Sequence, residues 1–118
     1  MKLAEIKEIL DAEVVTGGES LSTEVRVACG ADLMSDVLAY VKPGALLLTG
    51  LANRQVVRTA EMADLVAICF VRGKIPDDDT VALAGSLSLP LLRTNLPMFE
   101  SCGRLHSRGL AGVTERAD

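Results

Sequence analysis

Apolar positions recur along this chain with two periods, and the alternation between them predicts its elements. From Lys2 to Leu10, the residues Leu3, Ile6, Ile9 and Leu10 share one helical face, with Lys and Glu on the other. Ala12-Glu-Val-Val15 reads as a short strand stopped by Thr16-Gly17-Gly18, and the polar residues 20–24 read as a loop. Val25-Arg-Val-Ala-Cys29 is a second strand ending at Gly30. Asp32 is the expected N-cap of a helix carrying Met34, Val37, Leu38 and Val41, which Lys42-Pro43-Gly44 ends near Val41.

The same grammar then repeats. The apolar run Ala45-Leu-Leu-Leu-Thr49 is a buried strand, and Asn53 caps a helix whose Val56, Ala60 and Ala63 form its inner face. Leu65 to Val71 is the next strand, and Pro76 with Asp77-Asp78-Asp79 opens a helix with its acids where the helix dipole favours them. Val81, Ala84 and Leu87 give that helix its apolar stripe. Leu89 to Thr94 is another strand, after which Asn95-Leu96-Pro97 leads into a last helix through Met98, Cys102 and Leu105. Residues 1–109 therefore form one domain, with 110–118 expected as a frayed tail. Helices alternating with continuous apolar strands from Asp32 to Arg108 predict an α/β class: a three-layer α/β/α domain with a mostly parallel sheet of about five strands joined by right-handed crossovers.

Composition narrows the function. The 118 residues are 49% hydrophobic but include no Trp, one Tyr and two Phe, so aliphatic side chains must build the core. A formal charge of −4 argues against a nucleic-acid partner, which demands a clustered basic face. The longest apolar run falls short of a membrane span and Glu5 interrupts any signal core, which predicts a cytoplasmic protein without a membrane partner. Cys29, Cys69 and Cys102 are widely separated, contain no C-x-x-C pair and read as small buried hydrophobes. With a single histidine, His106, no metal or cofactor is expected.

Candidate chemistry lies at the carboxyl ends of the strands, where helix N-termini present unpaired N–H groups in an open parallel sheet. Thr49 and Gly50, with Asn53, Arg54 and Arg58 on the following helix, are candidates for holding an anion through backbone N–H groups, a hydroxyl and a guanidinium. Arg72 and Thr94 end the next two strands and complete the candidate ligand set. The competing account of the same residues is a tight turn, a capping asparagine and solvated arginines. The triple aspartate reads as a helix start rather than a metal site. The chain contains no P-loop, no G-x-G-x-x-G and no G-x-S-x-G, so no catalytic residue is assigned.

The segments Leu47-Leu-Thr-Gly50, Asn53-Arg-Gln55, Arg58-Thr-Ala-Glu-Met62, Phe70-Val-Arg-Gly-Lys74 and Met98-Phe-Glu-Ser-Cys-Gly-Arg-Leu105 resemble the DRTGG domain family, related to the N-terminal domain of HPr kinase/phosphorylase. The resemblance runs from Lys2 to about Gly109. The five-letter run that names the family is absent, and only Thr16-Gly17-Gly18 matches part of it. The resemblance implies a three-layer α/β/α domain found joined to CBS domains in regulated pyrophosphatases, and in stand-alone copies beside iron-only hydrogenase genes. It also implies subunit contact, hence a homodimer. The kinase chemistry of HPr kinase lies in a separate P-loop domain, so this chain is not expected to be a protein kinase. The expected function is a non-catalytic regulatory or interaction domain, homodimeric, sensing a small anionic metabolite or nucleotide at the carboxyl edge of the sheet. The alternatives are a ligand-free dimerisation adaptor associated with iron-only hydrogenase or related metabolism, and an enzyme acting around Thr49, Asn53 and Arg58.

Overall fold

The computed structural model of the chain describes residues 1–114. Its elements are α1 (Leu3–Ile9), β1 (Glu13–Thr16), a 3-10 turn (Gly18–Ser20), β2 (Val27–Gly30), α2 (Met34–Tyr40), β3 (Ala45–Thr49), α3 (Arg54–Met62), β4 (Ala67–Phe70), α4 (Asp78–Ser86), β5 (Leu91–Arg93), α5 (Met98–Ser107) and β6 (Ala111–Gly112). They form a six-stranded sheet in the order β1-β5-β4-β3-β2-β6. All pairings are parallel except β1 with β5. The fold is thus the expected three-layer, mostly parallel α/β/α domain, with one strand more than the apolar pattern predicts. The extra strand, β6, lies in the segment read as a tail. It has only two residues, paired with Val27 and Ala28, too few to leave a period-2 signature. The rest of that segment beyond residue 114 lies outside the described residues.

Alternation along β3 explains the layering. Ala45 and Leu47 face one cluster with Met34, Val37, Val56, Ala60 and Ala84, which come from α2, α3 and α4. Leu46 and Leu48 face the other with Leu3 and Ile6 of α1, Leu10 just after it, and Leu105 of α5. Because β2, β3, β4 and β5 advance steadily across the sheet, the three crossovers between them stack on one face. The chain returns over the opposite face through α5 to reach the β2 edge.

Strand ends are shorter than the apolar runs, since Leu65 and Leu89 are buried in the turns leading into β4 and β5. Gly17 has φ +85°, and a Cβ there would stand 2.7 Å from Pro90 Cα. Glycine is required at that turn by both backbone conformation and space. Gly18 is not so constrained, with Val14 Cγ1 3.9 Å from a Cβ position.

Candidate functional site

The carboxyl ends of β2, β3, β4 and β5 bring four loops to one edge. Thr49 and Gly50 meet Asp32 there. The Thr49 hydroxyl donates to Asp32 Oδ1 at 3.0 Å, and the Gly50 N–H donates to the same oxygen at 2.7 Å. Thr49 Oγ1 in turn accepts from Leu51 N at 3.2 Å. The carboxylate of Asp32 therefore sits where an external anion would, and it joins the β2–α2 loop to the β3–α3 turn. This corrects the expectation that Asp32 caps α2. The N-cap is Leu33, with extended backbone and no side-chain cap, so Asp32 lies one residue too early and reaches sideways instead.

Arg72 is the cation that comes to this turn. A Cβ on Gly50 would lie 3.2 Å from Arg72 Nη2 and 3.5 Å from Asp32 Oδ1, so the guanidinium and the carboxylate close over Gly50 from two sides. Arg72 itself is exposed, with φ +56° and its N–H donating to Leu96 O at 2.9 Å. The next residue, Gly73, also has positive φ and donates to Thr94 O. Two consecutive left-handed residues thus curl the β4–α4 loop back on the β5–α5 loop.

The other candidates are dispersed. Asn53 caps α3, its side chain accepting from Val56 N at 3.3 Å. Arg54 lies towards Asp77, whose carboxyl is held below its ordinary range by hydrogen bonds from the Thr80 hydroxyl and N–H, with a smaller contribution from Arg54. Arg58 is 62% exposed and pairs with Glu61 at 3.5 Å, one turn further along its own helix. Thr94 is buried, its hydroxyl donating to Leu10 O at 2.6 Å and accepting from Leu96 N. It ties the end of β5 to the end of α1 and presents no group to a ligand. Of the seven candidate residues, only Thr49, Gly50 and Arg72 meet at one point.

A second feature has no single-residue signature in the sequence. Between α5 and the β2/β6 edge lies a cavity of about 370 Å³, lined by Leu48 and Leu110 together with Phe99, Cys102, Gly103 and Leu105 of α5. Cys29 borders it from β2. Burial, with a smaller contribution from Cys102, pushes the Cys29 thiol up to about 11, and burial also raises Cys102. Neither thiol is therefore an activated nucleophile at neutral pH. Cys69, in the core, is raised to about 12 by burial alone. Among the described residues no group of three or more His, Cys, Asp or Glu side chains could hold a metal ion, and no helix is long and apolar enough to cross a membrane.

The layered sheet with its open carboxyl edge defines a three-layer α/β/α domain. The chain belongs to the DRTGG domain family, whose model matches residues 5–107. Its fold is similar to that of a crystal structure of the CBS and DRTGG domains of the regulatory region of Clostridium perfringens pyrophosphatase, complexed with the activator diadenosine tetraphosphate. The TM-score is 0.73 at 15% identity, covering 88% of this chain and 45% of that one. This chain thus spans less than half the length of that neighbour. No curated protein matches it.

Proposed function

We propose that this chain is a non-catalytic regulatory or interaction domain that works by self-association, as a homodimer. The observation that carries the reading is the flank of the molecule along β2 and β6. There Tyr40 at the end of α2 is 72% exposed beside Gly30 and Val113, and Phe99 of α5 is 87% exposed beside Ala111 and Gly112, on either side of a short edge strand. Large apolar side chains gathered on one side of a small domain are what an association surface requires. The polar groups expected to do chemistry are meanwhile committed to the fold: Asp32 satisfies Thr49 and Gly50, Leu10 O takes the Thr94 hydroxyl, and Asn53 caps α3. That commitment supports a non-catalytic role over an enzyme acting at Thr49, Asn53 and Arg58.

Within this reading, the ligand-free adaptor is favoured over the anion sensor at the Thr49–Gly50 turn, because a carboxylate already occupies the turn. A small anion would be recognised by Arg72 on the outside of Gly50, in competition with Asp32. Family membership and the regulatory setting of the pyrophosphatase neighbour support regulation as the context. Light scattering at micromolar concentration tests the assembly, with a dimer expected. Calorimetry with diadenosine tetraphosphate, adenine nucleotides and acyl phosphates separates the two versions. Salt-sensitive binding lost in Arg72→Ala would favour the sensor, and no binding at millimolar ligand the adaptor.

A further inference from the structure

The two charged groups that close over Gly50 do not satisfy each other. Asp32 Oδ1 takes the Thr49 hydroxyl and the Gly50 N–H, while Oδ2, 3.7 Å from a Cβ position on Gly50, accepts no hydrogen bond among the described residues. The Arg72 guanidinium has Nη2 3.2 Å from the same position and makes no side-chain hydrogen bond or ion pair among the described residues. Both residues are exposed. The backbone explains neither the arginine nor the glycine. Arg72 has φ +56°, a conformation that glycine adopts more easily, and the other non-glycine residues at positive φ, Asp11, Asp64 and Ser88, are all short. Gly50 is not among the glycines at positive φ, so what it supplies is the space between a guanidinium and a carboxylate.

We propose that this edge binds a ligand carrying both charges, an α-amino acid, with its carboxylate on Arg72 and its ammonium on Asp32 Oδ2. The inference rests on the regulatory reading and is independent of the homodimer. A simple anion drawn to Arg72 is repelled by Asp32, and a simple cation drawn to Asp32 is repelled by Arg72. A zwitterion is attracted by both, so the carboxylate that counts against an anion sensor becomes half of the recognition. The spacing agrees. An α-amino acid holds its two charges on one carbon, and the two protein groups stand within 4 Å of one point over Gly50. A guanidinium pairs readily with a carboxylate, and a carboxylate oxygen with a free lone pair accepts from an ammonium. The same two loops set the class of side chain. Leu33 follows Asp32 directly and Ile75 lies three residues beyond Arg72, with 60% and 72% exposure, so an apolar amino acid suits the edge better than a charged one.

Calorimetry of the full chain tests the site with L-leucine as the probe, against N-acetyl-leucine, which lacks the ammonium, and leucinamide, which lacks the carboxylate. Leucine is expected to bind at millimolar concentration and each analogue roughly tenfold or more weakly, as for the loss of one charge-assisted contact. Asp32→Asn keeps an acceptor for Thr49 and Gly50 and should reverse the order, N-acetyl-leucine then binding better than leucine, a change that a purely structural role for Asp32 would not produce. Arg72→Gly relieves the positive φ, so its urea midpoint should equal or exceed that of the wild type while leucine binding is lost. No leucine binding at millimolar ligand, or analogues that bind as well as leucine, overturns the proposal. Wild-type preference for N-acetyl-leucine would show a plain anion site instead, and a lowered urea midpoint in Arg72→Gly would show that the guanidinium serves the fold. Light scattering reports assembly separately, so a dimer that binds no leucine leaves the homodimer reading standing.

Discussion

The Asp32 carboxylate offers the sharpest test of how the sheet edge is held. Replacing it by alanine removes the acceptor shared by the Thr49 hydroxyl and the Gly50 N–H. Hydrogen bonds to a charged group contribute about 1.5–3 kcal/mol each where they are shielded, and less where water can replace them. Gly50 is partly exposed and its N–H regains water, whereas Thr49 is buried and its hydroxyl donor is left unmade. The net cost of Asp32→Ala should therefore be about 2 kcal/mol, dominated by Thr49. In a domain of this size that lowers Tm by about 6–10 °C. Asp32→Asn keeps one oxygen acceptor without the charge and should cost about 1 kcal/mol. Urea unfolding followed by circular dichroism suits a chain without tryptophan, at one fixed protein concentration because assembly shifts apparent stability. If Asp32→Ala falls within about 0.5 kcal/mol of wild type with an unchanged m-value, the bridge between the two loops contributes nothing and the carboxylate does not hold the turn. The same variant frees the Thr49 and Gly50 donors beside Arg72, so inorganic phosphate should acquire weak, salt-sensitive binding that the wild type lacks.

Further outcomes follow from the same geometry. Gly17→Ala places a Cβ against Pro90 at positive φ and should cost more than about 2 kcal/mol, while Gly18→Ala should change stability by less than about 1 kcal/mol; equal effects in urea unfolding would refute the assignment. Arg58→Ala breaks only an exposed ion pair and should alter stability by less than about 0.5 kcal/mol, with no change in any nucleotide affinity measured by calorimetry. Because burial raises the Cys69 thiol to about 12, the unfolded chain ionises there first, and the native state gives up stability between about pH 9 and 12 at up to about 1.4 kcal/mol per pH unit. Cys69→Ala should therefore be less stable than wild type below pH 9, and its deficit should close as the pH rises; a constant difference would count against a buried neutral thiol.

The layers were legible in the chain, because burial on both sides of a parallel sheet demands continuous apolar strands, and Ala45 to Thr49 and Leu65 to Val71 are such runs. The sequence also located the cap at Asn53, whose side chain acts within three residues of its own position, and the acidic start of the helix at Asp77-Asp78-Asp79, although that Asp77 is the capping residue emerged only from the structure. Family membership was legible in segments spread along the chain and is carried by the match over residues 5–107. The tertiary structure decided whatever depends on partners distant in sequence. Asp32 is 17 residues from Thr49 and makes its bond across two strands, so local capping rules assign it the wrong partner. Thr94 is 84 residues from Leu10, and no local pattern distinguishes its structural hydroxyl from a ligand-binding one. The two-residue β6 exists because β2 offers it an edge, and the cavity beside it exists because α5 crosses the sheet there. Periodicity records which face of an element is apolar. Only packing decides which polar groups on different elements meet, and which apolar side chains, such as Phe99, are left facing water.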